Sequence, residues 1–285
     1  MRKMWLGTRE FARWVKVHSP GSGYDNAGYS ERLDYLNGGV GLRGSWSSHG
    51  ERTLTWNRVT AEEAREIADF ADGIYGNGPF YLIDPVSATQ NVLDKQWATP
   101  ALTGKDGVPL IGMERPQLVR NYDMSRGYPI EMARYEYGDV GGSRTAYIPI
   151  PPGHVAWVGV HGDPSSTGGL EVQPTITGYN SAPPTTVPVT GVADPLFSHS
   201  FPATADQAGI ELTFRHTTGD PLEVTLAGII VQIHPAGFTP PDGKFVSGQG
   251  ISGFQFEGKP QVPPYSLAHD SFGLTAKIVE TESWL

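Results

Sequence analysis

Apolar positions along this chain fall mostly in short runs separated by Gly, Pro, Asn and Ser, and one stretch departs from that rhythm. Over residues 59–73 the order V-T-A-E-E-A-R-E-I-A-D-F-A-D-G places Ala64, Ile67, Ala68 and Ala71 at helical spacing. Thr60 with Glu63 three positions on is a capping box, in which the hydroxyl and the carboxylate each take up a free backbone N–H of the first turn. Glu62 and Glu63 add negative charge at the positive end of the helix dipole, and Gly73 supplies a left-handed residue to end it. The pattern predicts a helix of about three turns, its alanine stripe set close against a sheet.

The other runs read as strands. Ahead of the helix these are residues 11–17, 32–36, 40–43 and 52–56, with Asn37-Gly38-Gly39 as the hairpin turn between the second and third. Residues 80–83 follow the helix and stop at Asp84-Pro85. The mixed segment around residues 86–100 ends at Thr99-Pro100 and reads as a transition between units. Strand candidates then recur at 117–122, 146–150, 154–161, 170–177, 210–217 and 222–233, with regular turn punctuation. After the Pro- and Gly-rich stretch 235–243 the texture of the first part returns, at 251–258 and 272–281. The last run alternates so regularly that it must be tied into an earlier sheet. The expected fold is mainly β. Residues 1–90 and 241–285 form one β-rich domain with one α-helix, and residues 91–240 form an inserted antiparallel β-sandwich of jelly-roll type.

Composition narrows the chemistry. The chain has 285 residues, enough for two domains, and its 36 glycines and 24 prolines are scattered between apolar runs, which favours many short strands over disorder. With no cysteine there is no disulfide framework, thiolate metal site or thiol nucleophile. A formal charge of −9, with 30 acidic and 21 basic residues, argues against a dedicated nucleic-acid binder. The first residues, M-R-K-M-W-L-G-T-R-E, hold no apolar run of signal-peptide length, and no membrane insertion is expected.

Catalytic and cofactor signals are weak. Two G-x-G-x-x-G matches, Gly39 to Gly44 and Gly248 to Gly253, lack the strand–helix setting that would bring a phosphate to a helix N-terminus. Ser252, in G-I-S-G, lacks the setting of a nucleophile elbow. The eight histidines show no metal-ligand spacing, although a sandwich could bring His216 or His234 near His154 and His161. Glu131, Glu136, Asp139 and Asp163 are the carboxylates from which a glycosidase pair would come, but any β protein carries such residues. No catalytic, cofactor or metal residue is assigned, and no cofactor is expected. The aromatics of the middle unit say more. Tyr122, Tyr128, Tyr135, Tyr137 and Tyr179 are candidate carbohydrate contacts if two stand exposed side by side, and core or interface residues otherwise.

The two ends of the chain resemble the minor tail proteins of long-tailed phages that infect actinobacteria, the group that includes distal tail proteins. The residues carrying this are Leu33-Asp34-Tyr35-Leu36-Asn37-Gly38-Gly39, and the helix with Gly78-Pro79-Phe80-Tyr81 and Asp84-Pro85. They continue at the close of the chain with Phe245-Val246-Ser247-Gly248-Gln249-Gly250, Phe256-Glu257-Gly258-Lys259-Pro260, Pro264-Tyr265-Ser266 and Val279-Glu280-Thr281 before Trp284-Leu285. These are packing and turn motifs, so the resemblance implies assembly, not catalysis. It implies a structural virion protein whose first domain forms a homo-oligomeric, hexameric ring at the tail tip, made in the host cytoplasm. The sandwich would be galectin-like or carbohydrate-module-like and would face outward. The implied partners are the tail tube protein, the tape measure protein and tail-tip hub or other minor tail proteins. The alternative reading is a receptor-recognition module for host cell-wall glycan, and a weaker one is a glycan-cleaving enzyme.

Overall fold

The structure, a computed structural model, describes residues 3–8, 11–19, 23–27, 30–34, 40–44, 49–85, 87–93, 98–101, 117–121, 127–135, 143–163, 170–178, 187–188, 197–202, 207–216, 224–239, 253–261, 264–266 and 271–281. The protein is mainly β and divides into two compact units, Met1–Leu82 with Ser252–Ser283, and Ile83–Ile251.

The first unit opens with β1 (Lys3–Gly7), β2 (Ala12–Lys16), β3 (Gly23–Ala27), β4 (Ser30–Asp34), β5 (Val40–Gly44) and β6 (His49–Val59), then α1 (Ala61–Ala71) and β7 (Tyr81–Ile83). β1 lies between β2 and β7, so Met4-Trp5-Leu6 forms the middle of a three-stranded sheet that short apolar runs alone did not announce. β4 and β5 pair antiparallel, Asp34 opposite Val40; the predicted turn Asn37-Gly38-Gly39 lies outside the described residues.

The second unit contains a 3-10 turn (Ser87–Thr89), then β8 (Gln117–Arg120), β9 (Glu131–Tyr135), β10 (Ser143–Pro149), β11 (His154–Asp163) and β12 (Leu170–Gly178). β13 (Val187–Pro188), β14 (Phe197–Pro202), β15 (Gln207–His216) and β16 (Val224–Pro235) complete it. Two sheets result, in the orders β14-β11-β16-β9-β8 and β10-β15-β12-β13. The near-continuous apolar runs sit on β11 and β16, whose residues 155–160 and 225–233 are all buried. Alternate residues of a strand point to opposite faces, so this pair is covered on both sides.

The chain ends by returning to the first unit as β17 (Phe254–Phe256), β18 (Pro264–Ser266) and β19 (Ser271–Glu280). β19 pairs antiparallel with β6 from Phe272 opposite Val59 to Val279 opposite Glu51, and with β17 on its other side. Its inward positions Leu274, Ala276 and Ile278 join Leu54, Trp56, Phe254, Phe80, Met4 and Leu6 in one core. Trp56 is buried, and its indole N–H donates to the Lys16 carbonyl at 2.8 Å.

Helix α1 packs on this core. Both bonds of the capping box form, Glu63 N–H to Thr60 Oγ1 at 3.2 Å and Thr60 N–H to Glu63 Oε2 at 2.9 Å. Gly73, φ +76°, follows the helix end. The buried face is Ala64, Ile67 and Phe70, not the predicted alanine stripe: Ala68 and Ala71 are only half-buried. Phe70 takes the place of the alanines because its ring fits among Phe11, Tyr75 and Phe80, at centroid distances of 6.1, 4.8 and 6.1 Å.

Candidate functional site

The tyrosines proposed for sugar contact are not presented as a platform where they are described. Tyr135 occupies an inward position of β9, two residues after the fully buried Ala133, and is itself buried. Tyr128 is buried too, and its hydroxyl lies 2.9 Å from His161 Nδ1. These two are packing residues, because each sits where the sheet is covered. Tyr122, Tyr137 and Tyr179 lie outside the described residues.

What the sandwich does contain is a buried polar and aromatic row on one face of β11 and β16. Trp157, Gly159 and His161 share a face by alternation, and Gln232 of β16 stands opposite Trp157. The Trp157 indole N–H donates to Ser198 Oγ of β14 at 2.9 Å. A Cβ on Gly159 would lie 2.8 Å from the Trp157 ring and 3.2 Å from His161 Nε2, so the missing side chain is what lets both rings close over the strand. At the end of β16, His234 stacks on Phe238 with centroids 3.7 Å apart and planes 12° from parallel. Its Nε2–H donates to Gln232 Oε1 at 2.9 Å, and burial lowers its pKa below the usual histidine value. Such a row specifies packing, since most buried polar groups in a core are hydrogen-bonded.

The histidines do not gather. His234 lies opposite Val155, next to the His154–Pro235 pair, whereas His161 is opposite Gly228 and His216 pairs with Leu170 in the other sheet. His154 Nδ1 meets the Pro152 carbonyl at 3.1 Å, and His199 is an exposed residue beside Phe201. Among the described residues no group of three or more His, Asp and Glu is placed to hold a metal ion. Of the candidate glycosidase carboxylates, Glu131 pairs in register with Arg120 and Asp163 with Thr225, in separate strand pairs. Glu136 and Asp139 lie outside the described residues. Of the two dinucleotide-like glycine patterns, the first has Val40 to Gly44 in strand β5, a setting that offers a phosphate no helix N-terminus. The second lies outside the described residues except for Gly253.

The first unit offers a charged sheet face instead. Lys277 on β19 holds Glu257 at 2.6 Å and Glu51 on β6 at 3.0 Å, and both contacts raise its pKa, Glu257 the more. Thr53 lies opposite Lys277, and Thr55 opposite Thr275, on the same polar face. On the helix side, Arg13 is bonded to Glu66 at 3.0 Å and lies over the rings of Phe11 and Tyr75, at 4.9 and 5.1 Å. Lys259 holds Asp72 at 2.8 Å. These exposed pairs fix side-chain orientation more than they add stability. Sequence reasoning passed over them because each pair joins segments far apart in the chain.

No protein-family model matches the chain. No curated protein matches it. Among solved structures, the infectious bursal disease virus VP2 subviral particle aligns with 98% of this chain and 79% of that chain, at 12% sequence identity and a TM-score of 0.24. That likeness is too slight to bear on fold or function.

Proposed function

We propose that this protein is a structural component of a phage virion, a distal tail protein whose first unit forms a homo-oligomeric ring between tail tube and host-facing tip. The observation that supports it is the pairing of β6 with β19. That ladder joins the two stretches of sequence that resemble minor tail proteins into one β unit, with α1 packed on it. Of the motifs shared with that family, the helix, Gly78-Pro79-Phe80-Tyr81, Phe256-Glu257-Gly258-Lys259-Pro260 and Val279-Glu280-Thr281 are then parts of a single folded body. In this reading the protein acts by assembly, not by catalysis. Its partners are further copies of itself, six to a ring by the resemblance, the tail tube and tape measure proteins, and neighbouring tail-tip proteins. The sandwich serves as a spacer or docking body, since Tyr128 and Tyr135 are turned into its core.

Native mass spectrometry and electron microscopy of the purified full chain, alone and with tail tube protein, test the reading. A closed ring that caps tube ends is the expected outcome. A monomer at all concentrations that ignores the tube overturns it, and such a monomer that bound wall polysaccharide would revive the glycan-module alternative.

A further inference from the structure

The turn between α1 and β7 holds an asparagine whose amide is chemically exposed. Asn77 is followed by Gly78 and is open to solvent. Among the described residues, neither the Asn77 side chain nor the Gly78 N–H has a hydrogen-bond partner. Gly76 and Gly78 adopt φ of +108° and +83°, a backbone that side chains would disfavour on either side of Asn77. Without a Cβ, Gly78 leaves its own nitrogen uncrowded.

We propose that Asn77 is a site of spontaneous covalent modification, deamidation through a cyclic imide. The Gly78 nitrogen, having given its proton to solvent, attacks the side-chain carbonyl carbon of Asn77. The new C–N bond closes the ring, and the amide nitrogen leaves as ammonia after taking a proton from water. A water molecule then opens the imide at one of its two carbonyls, leaving aspartate or isoaspartate. Nothing is oxidised or reduced, and water is the co-reactant.

The same molecule supplies its own controls. Asn91 is buried, with its amide nitrogen bonded to the Ile229 carbonyl and its oxygen to the Val231 N–H, and a branched Val92 follows it. Asn121 is buried and donates to the Pro129 carbonyl. The other Asn-Gly pair, Asn37-Gly38, lies outside the described residues.

Position gives the reaction a structural consequence. Asn77 Oδ1 stands 2.9 Å from where a Gly73 Cβ would be, in the turn that delivers Phe80 to the core. Phe80 exchanges both backbone hydrogen bonds with Phe254 at 2.8 Å and packs on Phe256 at 5.3 Å. Isoaspartate adds a main-chain atom and a negative charge just before this bridge. The first unit should therefore loosen on ageing.

The test is incubation of the folded full chain in mildly alkaline and mildly acidic buffer, followed by peptide mapping with mass spectrometry. The Asn77 peptide should gain the mass of an NH2-to-OH exchange, faster in the alkaline sample, while the Asn91 and Asn121 peptides stay unchanged. Asn77→Gln, which would need a larger and slower-forming ring, should abolish the conversion at that peptide. An Asn77 peptide that stays intact in the folded protein overturns the proposal, whether or not the urea-unfolded chain converts. So does conversion of Asn91 at the same rate as Asn77.

Discussion

At the scale of single residues, Asn91 does the work of a strand. β16 is paired with β9 only from Val224 to Leu226, and further along the same strand the Asn91 amide stands in for a neighbouring backbone. It donates to the Ile229 carbonyl at 2.9 Å and accepts from the Val231 N–H at 3.1 Å, while Val92 N–H reaches the Val231 carbonyl at 2.9 Å. Asn91→Ala would take the side-chain partner from three buried backbone groups, the Ile229 carbonyl and the Val231 and Leu93 N–H groups, at about 1–3 kcal/mol each. Urea unfolding followed by a sandwich-specific signal should show that loss, and a midpoint unchanged from wild type would refute the role. His234 gives a pH dependence. Its folded-state pKa is lowered by burial, so as pH falls through about 6.5 the unfolded chain takes up the proton first. Stability is therefore full above that pH, declines below it and levels off once the folded form is also protonated. Thermal midpoints measured across this range should slope less in His234→Gln than in wild type.

At the scale of elements, α1 depends on its first turn as well as on its buried face. Thr60→Ala removes one half of the capping box and should cost about 0.5–2 kcal/mol, whereas Thr60→Ser should restore most of it. Unfolding midpoints of the three proteins, read at the first unit, decide the matter; equal midpoints for Ala and Ser would mean that packing of Ile67 and Phe70 alone holds the helix. Strand β6 shows a different device. Between Trp56 and Val59 its register with β19 shifts, and Arg58 adopts φ +57°. An extra residue in one strand of a pair turns the following side chain over. Trp56 and Val59, three apart, thus both enter the core.

At the scale of the molecule, the strand nearest the end of the chain is central to the first unit. β19 is flanked by β6 on one side and by β17 and β18 on the other. Removing residues 271–285 would strip Leu274, Ala276 and Ile278 from the core that α1 covers. The expected result is loss of protease protection across residues 49–82, with the second unit, which has its own core, still protected. Retention of native protection in that region would show that the early strands and the helix fold without the chain end.

Local features were legible because neighbours in sequence determine them. The capping box needs Thr60 and Glu63 only, and the half-buried character of β19 is written in its alternation. The near-continuous apolar runs 155–160 and 224–233 likewise announced core strands. Other features came from partners that no local pattern names. Met4-Trp5-Leu6 is too short a run to declare itself a central strand until β2 and β7 flank it. Tyr128 and Tyr135 fit core, the commoner place for sandwich aromatics, and also a sugar platform, and only the covering of the sheet chose core. Asn91 meets its backbone partners across 138 and 140 residues of chain. Backbone preference and side-chain periodicity are properties of adjacent residues, so the sequence by itself determined the helix and the longer, more regular strands. Register, bulge and burial depend on which distant surfaces meet, and those only the tertiary structure decided.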